Sequence, residues 1–525
     1  MHRTLRTLLS LALMLGSLSP FGTAQSDDAK LEAVKDFKTY MRKARAGSER
    51  VEAVKTLLGN ECPQAAEELL KLAADRTEPV RIAAMSVLAT YKRPETFKAM
   101  YTALPDMADK TAVALLIEVL GRAGILDALP AIRQVGIRDA GIDTHVKVRV
   151  ADAIERLGDR TGSNDILVKY LADPDPTVRI SAADAVGKLK LRAIGDHLVP
   201  LLSDKYWQVQ AAAILASGQA RVEKAIDPLI ELMRHEGRFK TDTAEALFLI
   251  TMKDFGANPD LWAKSLTSLR GFGWKMPSDA EVAKAKAARK RSDEFYGKKD
   301  GRKTFGGIVT TSTRVLFIID ISGSMEDHVV EKQKFTGSYE DYSKLSIVKT
   351  ELVNTIDSLD KNTLFNIVAF ATNLRPWKKD LVPANVVTKS AAKAWVRRLK
   401  PLGGSESSEA ATVGLSSDLS QGKTNTFKAL MYPFDIDPDK EIKVVFTGGD
   451  SRRMVKRKLD TVFFLSDGRP SVGKYVDTEE ILKEVLRVNK VYRMTLHTIA
   501  IGQFQKTFLQ TLAQQNGGEF VDLGF

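Results

Sequence analysis

Apolar residues follow two different periodicities along the chain, and the change falls near residue 310. From about residue 50 to 250 they recur at three-and-four spacing among many Ala and Leu residues, which predicts amphipathic helices. Beyond residue 312, short apolar runs such as 315–319 and 462–465 alternate with helical patterns. Short β-branched runs are typical of strands that are buried on both faces of a parallel sheet. The pattern therefore predicts an all-α N-terminal region and an α/β C-terminal region.

One segment recurs within the helical region, at 78–84, 145–151, 176–182 and 207–213, and a degenerate copy fits at 111–114. An Asp-Pro-x-Pro-x-Val-Arg pattern opening a helix every 30 to 35 residues or so resembles HEAT-type repeats. Asp173 or Asp175 can cap such a helix, and Pro176 suits its first turn. The Arg after each Val is expected in solvent or in a pair between repeats. We predict a solenoid over 25–251, followed by a cap and basic linker over 252–311.

The C-terminal region, 312–525, is predicted to fold as a doubly wound, mostly parallel, Rossmann-like sheet, because strand and helix patterns alternate along it. Apolar runs predict strands, and amphipathic runs predict helices between them. The predicted strands are 315–319, 363–372, 460–465, 495–501 and 519–523, and the predicted helices are 344–359, 389–399, 478–488 and 506–515.

An acidic residue ends the first predicted strand of this region. Asp320 follows the apolar run directly, and Ser322 and Ser324 bring two hydroxyl groups on a tight turn. Open α/β sheets bind ligands at the carboxyl ends of their strands. Carboxylate and hydroxyl oxygens suit a hard divalent cation, so the sequence predicts a metal site here.

Asp320-x-Ser322-x-Ser324 after a buried strand resembles the metal-ion-dependent adhesion site of von Willebrand factor type A (VWA) domains. The family takes a Thr from a second loop and an Asp from a third, and Thr424 and Asp467 occupy matching positions here. The resemblance implies that Thr424 binds the cation directly or through water, and Asp467 through water. Ser405 is a rival for the place of Thr424, because the second loop reads Gly-Lys-Thr where the family usually has Gly-Gly-Thr.

The same resemblance implies an open coordination position, which an acidic side chain of a protein partner would complete. We expect Mg²⁺ as the cation. Mn²⁺ and Ca²⁺ remain alternatives, because residue types do not fix the size of the coordination cage, by which these cations differ. A second acidic cluster, Asp435-x-Asp437-x-Asp439, is expected to form only a turn, since Lys440 stands where a calcium loop needs Gly. His328 is expected at the rim of the metal loop.

The first 24 residues have the pattern of a secretory signal peptide: a basic start, an apolar core at 8–18 and small residues at 22–24. We therefore expect export to the periplasm or the extracellular space, and no transmembrane segment after cleavage. The lone Cys62 forbids an internal disulfide, and we expect a buried thiol more readily than a pair between chains.

The formal net charge is +12, and the segment 281–303 carries nine Lys or Arg against four Asp or Glu. Residues 283–290 are expected to form an exposed helix that runs into a solvated Gly/Lys linker, with contact to an anionic surface as the alternative. Export makes nucleic acid an unexpected partner.

Signatures of common enzyme classes are missing from the sequence, including the nucleophile elbow, the zinc-binding His-Glu-x-x-His and the phosphate-binding loop. We therefore expect no catalysis, and predict an exported interaction or adhesion protein that binds partners through its cation. Two alternatives remain: a structural scaffold in which the cation only ties loops together, and a noncatalytic subunit of a metal-dependent enzyme complex.

Overall fold

The computed structural model describes residues 26–523 except for 139–141, 236, 297–301, 304, 331, 333–338, 404–421, 440–458 and 503–505. The chain divides into two compact units, Met1–Leu157 and Gly158–Phe525. The second unit contains helical repeats together with the α/β region, so the division falls inside the predicted solenoid. The predicted signal peptide, 1–24, lies outside the described residues.

The first unit consists of helices in its described part. Close packing between two of them depends on a glycine: a Cβ atom on Gly121 would lie 3.2 Å from the Cβ atom of Ala153. The predicted degenerate repeat at 111–114 lies in α6. The helices are α1 (Asp27–Lys43), α2 (Gly47–Lys55), α3 (Pro63–Leu72), α4 (Glu78–Leu88), α5 (Pro94–Ala103), α6 (Lys110–Arg122), α7 (Leu129–Ile137) and α8 (Thr144–Leu157).

The second unit begins with further helices. They are α9 (Asn164–Leu171), α10 (Pro176–Lys188), a 3-10 segment (Arg192–Ser203), α11 (Trp207–Ala220), α12 (Ile226–Met233), α13 (Phe239–Thr251), α14 (Pro259–Gly271) and α15 (Asp279–Tyr296). Helix α10 starts as the sequence predicts. Asp175 accepts a hydrogen bond from the backbone N of Thr177 at 2.8 Å, and Pro176 occupies the first turn.

Small residues let successive repeat helices approach one another. A Cβ atom on Gly187 of α10 would lie 2.7 Å from Cα of Ala216 in α11, and one on Gly218 would lie 2.8 Å from Cα of Ala246 in α13. Neither position has room for a side chain. Helices α10, α11 and α13 therefore stack closely, as the helical-repeat pattern predicts.

In the repeat at 176–182, the arginine that follows the repeated Val pairs with an acid of the next repeat. Arg179 is buried, and its Nε and Nη2 atoms donate to the two carboxylate oxygens of Asp204 at 2.8 and 3.0 Å. Its Nη1 atom also donates to the carbonyl oxygen of Asp173 at 2.8 Å. A bidentate pair of this kind fixes the spacing between two repeats, which was one of the two expectations from the sequence.

The basic segment begins as a helix, α15, as predicted, and most of its described side chains are exposed. One side of this helix is packed. Val282 of α15 is buried against Phe248 and Leu249 of α13. The Arg289 guanidinium lies 3.7 Å from the Phe248 ring and pairs with Glu245. One side of α15 therefore packs on α13 through Val282 and Arg289, because a valine and a guanidinium cover apolar surface there.

A mostly parallel sheet forms the α/β region. Its order is β5-β4-β3-β7-β8-β9, with β6 also paired to β4, and only the two short strands β5 and β6 run antiparallel. A separate two-stranded hairpin, β1 with β2, precedes it. The strands are β1 (Arg302–Lys303), β2 (Val309–Thr310), β3 (Arg314–Asp320), β4 (Leu364–Phe370), β5 (Leu374–Pro376), β6 (Val382–Pro383), β7 (Thr461–Ser466), β8 (Thr495–Ala500) and β9 (Phe520–Asp522).

Helices cover both faces of this sheet. They are α16 (Lys344–Ser358), α17 (Val386–Arg397), α18 (Thr426–Met431), α19 (Thr478–Tyr492) and α20 (Lys506–Gln515). Phe317 and Ile319 of β3 pack on the face that α16 and α17 cover, while Leu316 and Ile318 pack on the opposite face. Burial on both faces explains why β3 reads as a continuous apolar run, and it leaves the strand ends as the places for polar side chains.

Candidate metal centre

The end of β3 presents a buried carboxylate. Asp320 is fully buried, and its Oδ1 accepts a hydrogen bond from the backbone N of Ser322 at 2.9 Å. Its Oδ2 accepts from the Ser466 hydroxyl at 2.6 Å. The turn after the strand thus holds the carboxylate in place by bending back over it.

A second buried carboxylate follows the neighbouring strand. Asp467 comes directly after β7, which pairs in parallel with β3, and it is buried as well. Its Oδ1 accepts from the Ser324 hydroxyl at 2.9 Å, and the hydroxyls of Ser324 and Ser322 lie 3.3 Å apart. The first and third predicted loops therefore meet at the carboxyl edge of the sheet.

Thr424 lies at the same edge. It is buried, it stands two residues before α18, and its backbone N donates to the Ser471 hydroxyl at 2.9 Å. A Cβ atom on Gly468 would lie 3.4 Å from Oγ1 of Thr424 and 3.5 Å from Oγ of Ser324. Both hydroxyls therefore face the small space beside Gly468, which a side chain at that position would fill. All five predicted ligands, Asp320, Ser322, Ser324, Thr424 and Asp467, lie at this edge of the sheet.

The donor set fits a hard divalent cation. Among the described residues no group of three or more His, Cys, Asp or Glu side chains is arranged to hold a metal ion, so a cation here would depend on hydroxyls beside two carboxylates. Burial raises the pKa of Asp320 to about 7, and the nearby Asp467 carboxylate adds to the shift. Two carboxylates in one buried cluster repel each other, and a cation between these loops would relieve that repulsion.

Lys344 is a feature of the centre that sequence reasoning missed. Lys344 is the first residue of α16, and it is buried. Its Nζ donates to Oδ2 of Asp467 at 2.7 Å and to the carbonyl oxygen of Ser324 at 3.2 Å. A weaker contact of 3.3 Å reaches Asp327. The centre therefore has its own ammonium group on one side of Asp467. A lysine at a helix start gives no sequence signal for this role.

Other candidate residues stand outside the centre. The rival ligand Ser405 and the basic run 452–458 lie outside the described residues. His328 is exposed near the metal loop. In the acidic triplet, Asp439 pairs with Lys428 at 2.8 Å and its backbone N donates to Asp437, as in an ordinary turn.

The geometry defines a class of protein: an α-solenoid joined to a doubly wound domain with an oxygen-lined centre at the carboxyl edge of its sheet. Comparison with known families names both parts. Residues 338–522 match the von Willebrand factor type A domain, and residues 164–247 match HEAT repeats. The chain thus contains a VWA domain preceded by HEAT repeats. The first metal loop, 320–324, lies before the matched range and is placed by the structure.

Curated relatives share the VWA part of the chain. Inter-alpha-trypsin inhibitor heavy chain H4 of Homo sapiens is 22% identical over 40% of this chain and 18% of its own length. Heavy chain H1 of Mesocricetus auratus is 24% identical over the same shares, 40% and 18%. The chain thus spans less than a fifth of the length of these relatives.

A solved structure also aligns with the chain. It is an aerotolerance-related membrane protein from Bacteroides fragilis, 12% identical over 40% of this chain and 90% of that chain, with a TM-score of 0.25.

Over the part of this chain that the structure describes, no helix combines the length and the apolar character needed to cross a membrane.

Proposed function

We propose that this protein is an exported interaction protein whose VWA domain binds partners through a divalent cation. The observation that carries the proposal is the meeting of three loops at one sheet edge, with Ser324 bonded to Asp467 and Thr424 beside the same glycine. Asp320, Ser322, Ser324 and Thr424 would hold the cation, and Asp467 would act through water. Such a cation would supply a Lewis-acidic point to which an acidic side chain can bind.

At the candidate centre the Ser324 and Ser466 hydroxyls donate to carboxylates, the Ser322 and Ser324 hydroxyls lie 3.3 Å apart, and His328, near the first loop, is exposed. We therefore propose binding and not catalysis, with Mg²⁺ as the cation and Mn²⁺ or Ca²⁺ as alternatives. The family match supports a role in protein interaction, and the apolar start of the sequence supports export.

Titration of the full chain tests the cation. Calorimetry with Mg²⁺, Mn²⁺ and Ca²⁺ should give one saturable site, lost in Asp320→Ala and strongly weakened in Thr424→Ala. Asp380→Ala, which removes an exposed carboxylate elsewhere in the domain, is the matched control and should bind as the wild type does. Equal binding in all four proteins would refute the centre.

A second experiment tests the partner class. A surface carrying glutamate-containing peptides should retain the Mg²⁺-loaded protein, and EDTA or Asp320→Ala should release it. One observation favours the scaffold alternative: Lys344 bonds to both the first and the third loop, so an ammonium group helps to tie them together. Partner binding that survives both EDTA and Asp320→Ala would support that alternative.

A further inference from the structure

A pocket of about 280 Å³ lies at the opposite edge of the sheet from the metal centre. Arg314 begins β3 and Asp460 immediately precedes β7, so the pocket lies where the two central strands start. The last HEAT repeats supply its other walls, among them Lys205, Trp207, Arg238 and Phe239. All of these residues belong to the same compact unit, 158–525.

Positive charge dominates the side chains that line the pocket. Neither Lys205 nor Arg314 forms an ion pair among the described residues, although Arg314 acts electrostatically on Asp460 and Lys205 lies 5.2 Å from the centroid of the Tyr206 ring. Arg238 differs, because it pairs with Asp242 at 2.8 Å and donates to the carbonyl oxygen of Arg493. Two cations that form no ion pair, beside a partly enclosed space, favour an anionic ligand.

The acid in the pocket wall is already engaged. Oδ1 of Asp460 accepts hydrogen bonds from the Ser312 hydroxyl at 2.5 Å and from the Thr461 hydroxyl at 2.8 Å. Removal from water raises the pKa of Asp460, which favours its uncharged form, although the nearby Arg238 and Arg314 act in the opposite direction. Asp460 is thus a weak competitor with an anionic ligand for Lys205 and Arg314.

Two repeat helices begin at the pocket. Helix α11 starts at Trp207 and α13 at Phe239, and neither has a side-chain cap for its N-terminal NH groups. The start of a helix carries partial positive charge, so both helices reinforce the field of Lys205 and Arg314.

Aromatic rings form the apolar part of the wall. Tyr206, Trp207 and Phe239 line the pocket, and the indole Nε1 of Trp207 is buried without a hydrogen-bond partner among the described residues. A volume near the lower end of the range for small-molecule sites fits a single ring with one charged substituent. A free phosphate ion would leave these rings uncovered.

We infer that this pocket binds a small aromatic oxyanion, a carboxylate or phosphate attached to one ring, with the anionic group at Arg314 and Lys205 and the ring against Trp207 and Phe239. Because the pocket lies at the far edge of the sheet, this site is separate from the cation centre. Its occupant would bridge the HEAT repeats and the VWA domain, since its walls come from both.

Calorimetry with the full chain in EDTA tests the site without involving the cation centre. Phenyl phosphate and benzoate are the probes, inorganic phosphate tests the anionic group alone, and benzyl alcohol tests the ring alone. We expect saturable binding of at least one aromatic anion, weaker binding of inorganic phosphate and none of benzyl alcohol. Thermal unfolding should shift upward with the aromatic anion, because the ligand holds two parts of one unit together.

Variants locate the binding. Arg314→Gln should lower the affinity for the aromatic anion at least tenfold, and Lys205→Gln should lower it severalfold. Lys264→Gln, at an exposed lysine outside the pocket, should leave the affinity unchanged. Lys205 is exposed, so its variant keeps the test valid if Arg314→Gln fails to fold. Failure of both aromatic anions to bind, or equal affinity in Lys205→Gln, Lys264→Gln and the wild type, would overturn the inference.

Discussion

Lys344 gives the metal centre an unusual charge balance. A buried ammonium 2.7 Å from Asp467 compensates one carboxylate, while Asp320 is held only by hydrogen bonds from Ser322 and Ser466. Removing one partner of a buried pair leaves the other charge uncompensated. The cation-free centre therefore depends on Lys344 to keep its third loop in place.

Replacing Lys344 with Met should destabilise the cation-free protein by about 3 kcal/mol, because Asp467 loses its buried partner. Saturating Mg²⁺ should remove much of this loss, since a cation bound to these loops would take over the compensation of Asp467. Hydrogen exchange of the β3 and β7 amides in EDTA and in Mg²⁺ measures both values.

The matched control is Lys349→Met on the same helix, whose Nζ donates to the carbonyl oxygen of Leu399 and forms no ion pair with a described carboxylate. Its effect should be smaller and the same with and without Mg²⁺. An equal loss for Lys344→Met in EDTA and in Mg²⁺ would contradict a shared role of ammonium and cation.

The raised pKa of Asp460 predicts how the stability of the protein depends on pH. Removal from water raises its pKa in the folded protein, so the folded state binds this proton more tightly than the unfolded chain. Stability from this group is present below the unfolded pKa of about 3.9 and is lost as the pH rises through the folded value. Asp460→Asn keeps an acceptor oxygen for Ser312 and cannot ionise. The variant should be more stable than the wild type at pH 7, and the difference should shrink towards pH 4.

Urea unfolding at both pH values measures this difference. Asp380→Asn, at an exposed carboxylate of the same domain, supplies the general effect of removing one negative charge. A loss of stability for Asp460→Asn at pH 7, relative to that control, would show that the carboxylate is favoured as an ion.

At the scale of elements, Arg–Asp ion pairs connect the repeat helices. The sequence pattern shows the arginines but not which acid each one contacts. Arg179 and Asp204 are both largely buried and form a bidentate pair, whereas Arg270 and Asp227 form a similar pair in solvent. Burial decides the value of such pairs, because exposed ones are screened by water.

Arg179→Leu should therefore destabilise the repeats by about 3 kcal/mol, since it leaves Asp204 without its buried partner. Arg270→Leu, which breaks an exposed pair of the same geometry, should cost at most about 1 kcal/mol. Hydrogen exchange of the α10 and α11 amides gives the first value, and exchange of α14 gives the second. Similar losses for both variants would contradict the argument from burial.

The loops of the candidate metal centre could be predicted from the sequence, because their acidic residues directly follow the apolar runs of strands. Asp320 and Asp467 each follow an apolar run, and a parallel sheet brings the ends of such runs together. Lys344 could not be predicted, because it is 123 residues from Asp467 and only the fold brings them into contact.

The main strands and helices of the sheet also followed from periodicity, and helix 506–515 has the predicted bounds. The edge strands β5 and β6 were missed, because Pro376 and Pro383 interrupt short runs that carry no alternating pattern. Helix α17 begins three residues before the predicted start, at Val386, since Asn385 caps it. Two exposed valines gave no helical signal there.

At the scale of the whole molecule, the VWA domain is joined to the last repeats by buried polar contacts. Asp184 of α10 pairs with Arg493, the residue after α19, and Arg238 donates to the carbonyl oxygen of the same Arg493. Thr241 and Thr311 add a hydrogen bond of 2.9 Å. These contacts explain why 158–525 is one compact unit.

A fragment of residues 302–525 should unfold at a lower temperature than the VWA domain within 158–525, because Arg493 loses its buried partner. Asp184→Asn in the longer fragment should reproduce part of this decrease, by breaking a charged pair in a largely buried place. Asp165→Asn, at an exposed position of α9, is the control. Scanning calorimetry compares the four proteins. Equal unfolding temperatures would mean that the repeats add nothing to the domain.

The buried thiol of Cys62 makes local opening of the first unit measurable by chemical modification. This thiol is the chain's single cysteine, and it lies buried immediately before α3. A thiol-specific reagent in solution can reach it only when the surrounding helices open. The alkylation rate of the intact protein therefore reports the local opening of the helices that surround Cys62.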